Sequence, residues 1–444
     1  MIDPVDLLRA LIRNRCVNDG TPGSGGERRS VETIADALGR SGVLFEPVPG
    51  RLSAVYRIAG TDPSAPSLML MGHTDVVPVS PDGWSHDPFA AEIHDGFVWG
   101  RGAVDMLNLT AAMTVAFAPY LSGDREPLPG DLVFLAVADE ENAGGLGAGP
   151  LTRNRWDLVG CDYLLTEIAY PRFSSDGGAG YPVSVGEKGP HWSTLRSTGV
   201  PGHGSVPYGS INALEPMAAA LAGIFCAPPP AVVSDEWRAF VHALDLDAPS
   251  RGALLDPERV DGEIDRLAAS DANLAAYIHA CTHMTVSPNV VAGGVKANMV
   301  PDAAEAQVDV RTLPGQSRAD VDGHLRKAMG AAADSITIEP TADHPASSSR
   351  PDGPLWAAIV DSIEDLTGSR RVIPTITPAT TDARFFRARG TVAYGVGLFD
   401  DRVGFPEFLS MFHGNNERVS VESIHQTVAL LTRILERWRE ASTA

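Results

Sequence analysis

Apolar residues near the start of the chain recur every three or four positions, which predicts helices. One helix is expected to begin after Asp3, whose side chain can cap it, and another covers Arg28–Arg40. Short apolar stretches with the length of strands follow at Leu52–Ile58, Ser67–Gly72 and Asp131–Ala138. A helix over Met106–Tyr120 is predicted between the last two. Apolar strands that alternate with helices are typical of an α/β sheet covered on both faces.

The pattern changes near Gly186. His191–Thr198 alternates in polarity, as a half-exposed antiparallel strand does. Similar strands are predicted at Val308–Arg311 and Ser335–Glu339, with helices around Ala213–Phe225 and Arg318–Ala332. Ser250–Ala275 is polar or irregular, and no function is assigned to it. We therefore predict a smaller α+β domain, residues 189–343, inserted into a catalytic domain formed by residues 1–188 and 344–444.

After the linker-like segment Asp343–Pro354, helices are predicted again at Leu355–Leu366 and Val421–Glu440. The expected fold class is α/β, with a mixed, mainly parallel sheet in the catalytic domain. Helices flank this sheet, because its strands are apolar along their whole length.

Composition and charge exclude several classes of protein. Fifty-six acidic residues against 35 basic ones give a net charge of −21, which disfavours nucleic acid and anionic membranes as partners. No apolar run approaches the ~18 residues that span a bilayer. The four cysteines are scattered without a CxxC pair, and the N-terminal charges do not have the order of an export signal. We expect a cytoplasmic protein.

Side chains that bind metals follow the predicted strands. They are His73 and Asp75 at the end of the second strand, Glu140 and Glu141 after the third, Glu167 after the short apolar run Leu164–Thr166, Asp105 before the helix Met106–Tyr120, and the distant His413. Ligands in open α/β sheets bind at the carboxyl ends of strands, so these side chains are expected to converge. Two histidines and three carboxylates would hold two ions about 3.5–4 Å apart. Without cysteine, this donor set suits zinc, with manganese or cobalt as alternatives.

Each of these clusters alone also has an ordinary structural explanation. Asp105 could simply cap the helix that follows it, and the two glutamates could form a solvated acidic turn. Within the joint set, Asp75 is expected to accept a hydrogen bond from His73, since residues i and i+2 of a strand share a side. That bond would leave the second imidazole nitrogen free for a metal ion.

Four motifs in this order resemble a known superfamily. They are His73-Thr74-Asp75, the turn GRGAVD that ends at Asp105, Asp139-Glu140-Glu141, and His413. The sequence resembles the two-zinc amidohydrolases and exopeptidases that include acetylornithine deacetylase, succinyl-diaminopimelate desuccinylase, aminoacylase and glutamate carboxypeptidase. The resemblance extends from His73 to Val419. It implies a catalytic α/β domain interrupted by a lid through which two chains form a homodimer.

The resemblance also implies roles for individual residues. The terminal metal ligands would be His73, Glu141, Glu167 and His413, with Asp105 as the bridging carboxylate. Asp75 would orient His73, and Glu140 would be the general acid and base. In the lid, His203 of Pro201–Ser205 would stabilise the oxyanion, commonly in the partner's site. Arg311 and Asn298 would bind the substrate.

The activity implied is hydrolysis of an amide or peptide bond next to a free carboxylate, as in a dipeptidase or carboxypeptidase. An N-acyl-amino-acid deacylase is the alternative within the superfamily. A catalytically silent relative would lack a ligand or the base, and none is lost. A phosphodiesterase-like enzyme would need basic residues near the motifs, and the sequence has no such cluster.

The sequence departs from the family pattern at two places. Leu107 stands where most relatives have lysine, and Ala379-Thr380 replaces the glycine pair before Thr381-Asp382. Both positions concern the substrate rather than the metal ligands. They leave the choice of peptide or N-acyl amino acid open.

Overall fold

Helices and strands alternate along most of the computed structural model, which describes residues 2–21, 23–80, 82–175 and 178–441. The strands of this described part are β1 (Val43–Phe45), β2 (Ser53–Ile58), β3 (Leu68–His73), β4 (Ile93–His94), β5 (Phe97–Trp99), β6 (Leu132–Val137), β7 (Tyr163–Thr166), β8 (Phe173–Ser175), β9 (Gly178–Glu187), β10 (Gly189–Pro190), β11 (Ser193–Thr198), β12 (Gly202–His203), β13 (Thr285–Gly293), β14 (Met299–Val300), β15 (Ala303–Thr312), β16 (Thr337–Pro340), β17 (Ser347–Ser348), β18 (Val372–Thr377), β19 (Val392–Gly395) and β20 (Arg418–Ser420).

The helices of the same residues are α1 (Pro4–Arg13), α2 (Arg28–Leu38), α3 (Leu107–Ser122), α4 (Ala148–Asn154), α5 (Trp156–Val159), α6 (Leu214–Cys226), α7 (Asp235–Ala243), α8 (Ala248–Leu254), α9 (Val260–Ala268), α10 (Ala272–Thr282), α11 (Arg318–Met329), α12 (Gly353–Thr367), α13 (Ala383–Arg387), α14 (Phe405–Met411) and α15 (Val421–Ala441). Short 3₁₀ turns cover Glu140–Asn142 and Gly330–Ser335. Among the described residues, no helix is long and apolar enough to cross a membrane.

The larger sheet has the strand order β1-β2-β6-β3-β7-β19-β9-β17, with β8 and β18 also paired to β9. Its centre is parallel, since β3 pairs in parallel with β6 and β7, and β7 pairs in parallel with β19. Antiparallel strands β1 and β2 complete one edge. The predicted fold class, a mixed and mainly parallel sheet flanked by helices, is confirmed.

Both faces of this sheet are covered, which explains the uninterrupted apolar runs of β3 and β6. Leu68 and Leu70 point toward the cluster that contains α1, α3 and α15, while Met69 and Met71 point toward α4 and α13. All six residues of each strand are buried. The strand ends are therefore held firmly in place by packing on two sides.

A smaller antiparallel sheet has the order β10-β15-β11-β16, with β13 paired to β15. Helices α6 and α11 cover one face, where Met217 and Leu325 pack against Leu195 and Val308. These strands lie between residues 189 and 340, inside the predicted insertion, although its boundaries remain a prediction. Helices α7 to α10 lie in the same stretch of sequence but contribute Trp237 and other side chains to the core of the larger sheet.

Candidate metal centre and substrate pocket

Six of the predicted side chains converge at the carboxyl edge of the larger sheet. His73 is the last residue of β3, Glu140 and Glu141 follow β6, Glu167 follows β7, Asp105 precedes α3, and His413 follows α14. Nε2 of His73 lies 3.2 Å from Oδ1 of Asp105 and 3.6 Å from Oε2 of Glu167. Nε2 of His413 lies 3.2 Å from Oε2 of Glu141 and 3.5 Å from Oδ2 of Asp105.

The convergent side chains divide into two groups with the composition of metal sites. One contains His73, Asp105 and Glu167, and the other contains Asp105, Glu141 and His413. Each oxygen of Asp105 faces a different histidine. Asp105 is therefore placed where a carboxylate shared between two ions would be.

Burial of so many acids in one place is costly without cations. It raises the pKa of Glu140 well above its usual range, the pKa of Glu141 to about 7, and the pKa of Glu167. Oε1 of Glu141 is buried and has no hydrogen-bond partner among the described residues. An unpaired buried oxygen in a cluster of carboxylates and imidazoles fits a divalent metal centre.

The two histidines respond to the same carboxylates. Although burial opposes it, hydrogen bonds to Asp105 and Glu167 raise the pKa of His73 well above its usual value. Contacts with Asp105 and Glu141 raise the pKa of His413 to about 10. At both rings the neighbouring carboxylates favour a positive charge, which bound metal ions would supply instead.

The hydrogen bond expected between His73 and the carboxylate of Asp75 is not formed. Nδ1 of His73 lies 2.9 Å from the backbone oxygen of Asp75 and 3.6 Å from its Oδ1. The carboxylate instead accepts hydrogen bonds from Asn18 and from the backbone amides of Glu140 and Glu141. The chain bends beyond the strand, so the carbonyl orients the ring while the carboxylate positions the turn that carries the two glutamates.

Glu417 is a site residue that the sequence reasoning missed. Its buried carboxylate accepts hydrogen bonds from the backbone amides of Gly102, Val104 and Asp105 and from the side chain of Arg101. Glu417 thus links the turn that carries Asp105 to the segment that carries His413. The signal in the sequence was its position, only four residues after His413.

A cavity of about 460 Å³ opens beside the cluster, a usual size for a small-molecule site. Its wall is mainly apolar and aromatic, with Ile168, Tyr170, Pro190, Trp192, Pro378, Leu409 and Phe412. The carboxylates that line it are Asp105, Glu140, Glu141 and Glu167, and no other acidic side chain among the described residues does so. The cationic part of the wall comes from Arg311 and Arg384.

The two arginines differ in how their charge is compensated. Nε and Nη2 of Arg311 donate to both oxygens of Asp309, at 3.0 and 3.3 Å. Arg384 donates to the backbone oxygens of Thr381 and Ala143, and its buried Nε has no partner in the described structure. No carboxylate of the described residues forms an ion pair with Arg384. It was not predicted, although it follows Thr381-Asp382 by only two positions.

His203 and Asn298 are not brought to the metal cluster. Both are exposed on the paired strands and loops around β12 and β14, where the backbone amide of Gly204 donates to the backbone oxygen of Asn298. The imidazole of His203 forms a local hydrogen bond, with Nδ1 lying 2.7 Å from Oγ of Ser205. Neither residue lines the cavity.

The two departures from the family pattern occupy different environments. Leu107 is buried in the core cluster with α1 and α3, so an apolar side chain suits that position. Ala379 and Thr380 line the cavity, and Thr380 donates a hydrogen bond to the backbone oxygen of Lys188. The second departure therefore shapes the pocket directly.

Comparison with known proteins agrees with this architecture. A sequence profile of Peptidase family M20/M25/M40 matches residues 69–437, and the chain belongs to this family of metallo-peptidases and amidohydrolases. It is 27% identical over 454 residues to a succinyl-diaminopimelate desuccinylase of Methylorubrum extorquens, with 98% of each chain covered. It is 28% identical over 438 residues to human aminoacylase-1, with 97% of this chain and 94% of the relative covered.

The fold is also similar to that of a solved structure. An M20 family metallo-carboxypeptidase from Sulfolobus solfataricus superimposes with a TM-score of 0.74 at 18% identity, covering 99% of this chain and all of the other. The structural similarity supports the fold, and the match of the family profile over residues 69–437 confirms the family predicted from the sequence motifs.

Proposed function

We propose that this chain is a metal-dependent hydrolase that cleaves an amide bond next to a free carboxylate. Apart from the nitrogen of the cleaved amide, the amino group of the substrate is blocked. Such substrates are peptides, from which the C-terminal residue is removed, or N-acyl amino acids. The composition of the cavity wall supports this most directly. A free α-ammonium group would find no carboxylate there apart from those assigned to the metal centre and the general base.

The same wall indicates which groups the substrate carries. Arg384 offers a buried guanidinium that forms no ion pair with a carboxylate of the described residues, which suits the carboxylate of the substrate. Arg311 adds a second charge that Asp309 already compensates. Tyr170, Trp192 and Phe412 favour an apolar side chain or acyl group.

Two divalent ions would be held by five side chains, which are His73, Asp105, Glu141, Glu167 and His413. The proposed metal is zinc, with cobalt or manganese as alternatives. When bound, these ions supply the Lewis acidity that activates water and the scissile carbonyl. Asp105, which belongs to both groups of side chains, would be the carboxylate that the two ions share. Asp75 keeps His73 and the two glutamates in position.

Glu140 is the proposed general base and acid. Its Oε2 lies 3.9 Å from Nε2 of His73, and its side chain lines the cavity without belonging to either metal-binding group. It would take a proton from the attacking water and pass it to the leaving nitrogen. Burial raises its pKa, which favours a group that must hold a proton during the reaction.

The proposed assembly is a homodimer in which His203 completes the site of the other chain. Within its own chain, His203 is exposed and outside the cavity. Its loop and the strand paired with it expose apolar side chains, namely Val206, Tyr208 and Met299, and strand β13 of the smaller sheet exposes Val290 and Val291. A second copy that covered these side chains would bring the imidazole near a neighbouring site through two-fold symmetry.

A matched substrate panel tests the proposal with zinc, manganese or cobalt added. We expect N-acetylated amino acids and N-acetylated dipeptides with large apolar side chains to be cleaved at least about 10-fold more efficiently, in kcat/KM, than the same compounds amidated at the C-terminus. The corresponding dipeptides with a free α-amine should also be poor substrates. Faster cleavage of the amidated or free-amine compounds would contradict the proposal.

A further inference from the structure

A second group of metal-binding side chains lies outside the cavity, at the hairpin formed by β4 and β5. It consists of His86, Glu92 and His94, called the hairpin cluster here. One donor atom from each side chain lies within 4.8 Å of the other two. Glu92 and His94 are two positions apart, and their side chains meet on the same side of the hairpin.

The chemistry of the hairpin cluster matches that of a transition-metal site. Two imidazoles and one carboxylate form a common set of zinc ligands, and such a set leaves a fourth position to water. Among the described residues, Glu92 forms its ion pair with His94, and no arginine or lysine pairs with it. Its charge is thus available to a cation.

The cluster is partly assembled without an ion. Nε2 of His94 lies 2.9 Å from Oε2 of Glu92. The ring of His86 stacks on that of His94, with centroids 3.8 Å apart, and its edge contacts Trp99. Parallel rings do not direct two nitrogens at one ion, so one ring must turn on binding. The half-exposed side chains of Glu92 and His94 leave room for that rotation.

From these observations we infer that the hairpin cluster is a further divalent-cation site, separate from the metal centre at the sheet edge. It selects ions that bind imidazole, such as zinc, cobalt or nickel, over magnesium or calcium, which prefer oxygen ligands. The affinity is expected to be lower than that of the buried centre, because the site is open to solvent.

The position of the hairpin cluster connects it to the metal centre. The loop that leads to His86 is bonded to the segment after His413. The side-chain amides of Asn415 and Asn416 donate to the backbone oxygens of Asp82 and Gly83, respectively. The backbone amide of Ser85 donates to Oδ1 of Asn416. An ion at the hairpin cluster would restrain this loop, and we expect it to slow the loss of metal from the group that contains His413.

Metal content tests the site directly. The wild-type protein is dialysed against buffered micromolar free zinc, and the bound zinc is measured by mass spectrometry. His94→Ala and Glu92→Gln should each hold about one zinc ion fewer per chain than the wild type. His425→Ala, which removes an exposed histidine outside the cluster, should match the wild type. Equal zinc content in the wild type and both cluster variants would overturn the inference.

Tryptophan fluorescence provides a second readout that does not depend on activity or on the number of ions in the main centre. A mild chelator first removes the more weakly bound zinc of the hairpin cluster, and cobalt added afterwards should quench the emission of Trp99, which contacts His86. The quenching should disappear in His86→Ala. In Trp99→Phe the quenching should decrease while bound cobalt stays unchanged. Identical quenching in His86→Ala and the wild type would also refute the site. Because each test compares variants with the wild type, it remains valid if the proposed substrate is wrong.

Discussion

The carboxyl edge of the larger sheet and the loop around His203 contribute to the proposed site in opposite ways. At the sheet edge, His73 and Glu167 are buried and within a few ångströms of each other. In the loop, His203 is exposed, and its imidazole hydrogen-bonds to Ser205 of the same loop. The first region is organised by the core of its own chain, whereas the second gains its proposed role only from contacts outside that chain.

This difference has a physical origin. Parallel strands β3, β6 and β7 are buried on both faces, and their ends carry ligands to one place regardless of what lies beyond them. By contrast, β12 is a two-residue strand that pairs only with the equally short β14. Such a short, exposed pair of strands has little packing to fix it. Substitutions at the sheet edge should therefore change metal content and the chemical step, whereas substitutions in the loop should change dimer assembly and stabilisation of the transition state.

The largest effect is expected from removal of the metal ligands. His73→Ala and His413→Ala should each lose bound metal and all detectable activity, because each histidine supplies the imidazole of its own metal-binding group. Exhaustive chelation of the wild type should have the same effect, and zinc, cobalt or manganese should restore it. Metal analysis and activity are measured on the same samples. Full activity after verified removal of metal would exclude this mechanism.

The next largest effect is expected for the base. Glu140→Gln should lower kcat by about 10²- to 10⁴-fold, because the amide cannot accept the proton. Metal content should stay close to that of the wild type, since Glu140 belongs to neither metal-binding group. Glu140→Asp provides the control, because it shortens the side chain but keeps the carboxylate. A Gln variant with more than about a tenth of wild-type turnover would show that another group transfers the proton.

The sheet edge was predictable because strand periodicity and motif order carry the necessary information. Asp3 caps α1 as expected, and β3 and β6 lie within one or two residues of their predicted positions. The end of an apolar strand in an α/β sheet specifies where its next residue points. Once the strands were recognised, the convergence of His73, Glu140 and Glu167 followed.

Features that depend on tertiary contacts could not be predicted in this way. Ser250–Ala275, which was expected to be irregular, contains three helices or parts of helices. The capping residues Asp247 and Asp271 were the local signal for two of these helices. The burial of Arg384 and its unpaired Nε depend on how the loop at Thr381 packs against Ala143. The hydrogen bond of His73 to a backbone oxygen depends on the chain direction after the strand.

A third prediction tests the loop. His203→Ala should lower kcat by about 10²- to 10³-fold, as expected for one lost donor to the oxyanion, with metal content unchanged. When His203→Ala and Glu140→Gln exchange subunits, each mixed dimer contains one site with both residues intact. Such a dimer should regain about half of wild-type dimer activity. Verified exchange without recovery would show that His203 does not act in the neighbouring site.

The smallest effect concerns the two arginines of the cavity, and it tests whether compensated and uncompensated charges bind a substrate differently. Arg384→Gln should raise KM by roughly 10- to 100-fold for a substrate with a free carboxylate, because a charge-assisted hydrogen bond is lost. Arg311→Gln should raise KM less, since Asp309 already neutralises that guanidinium. KM and kcat are measured separately for each variant.

Amidated substrates separate recognition of the carboxylate from structural damage. Arg384 also donates to the backbone oxygens of Thr381 and Ala143, so its replacement could disturb the loop without any effect on a bound anion. If Arg384 binds the carboxylate, the wild type should discriminate strongly against the amidated compound, and Arg384→Gln should not. If both enzymes discriminate equally, the guanidinium supports the loop only. Arg311→Gln with lost discrimination would instead assign the carboxylate to Arg311, as first expected from the sequence.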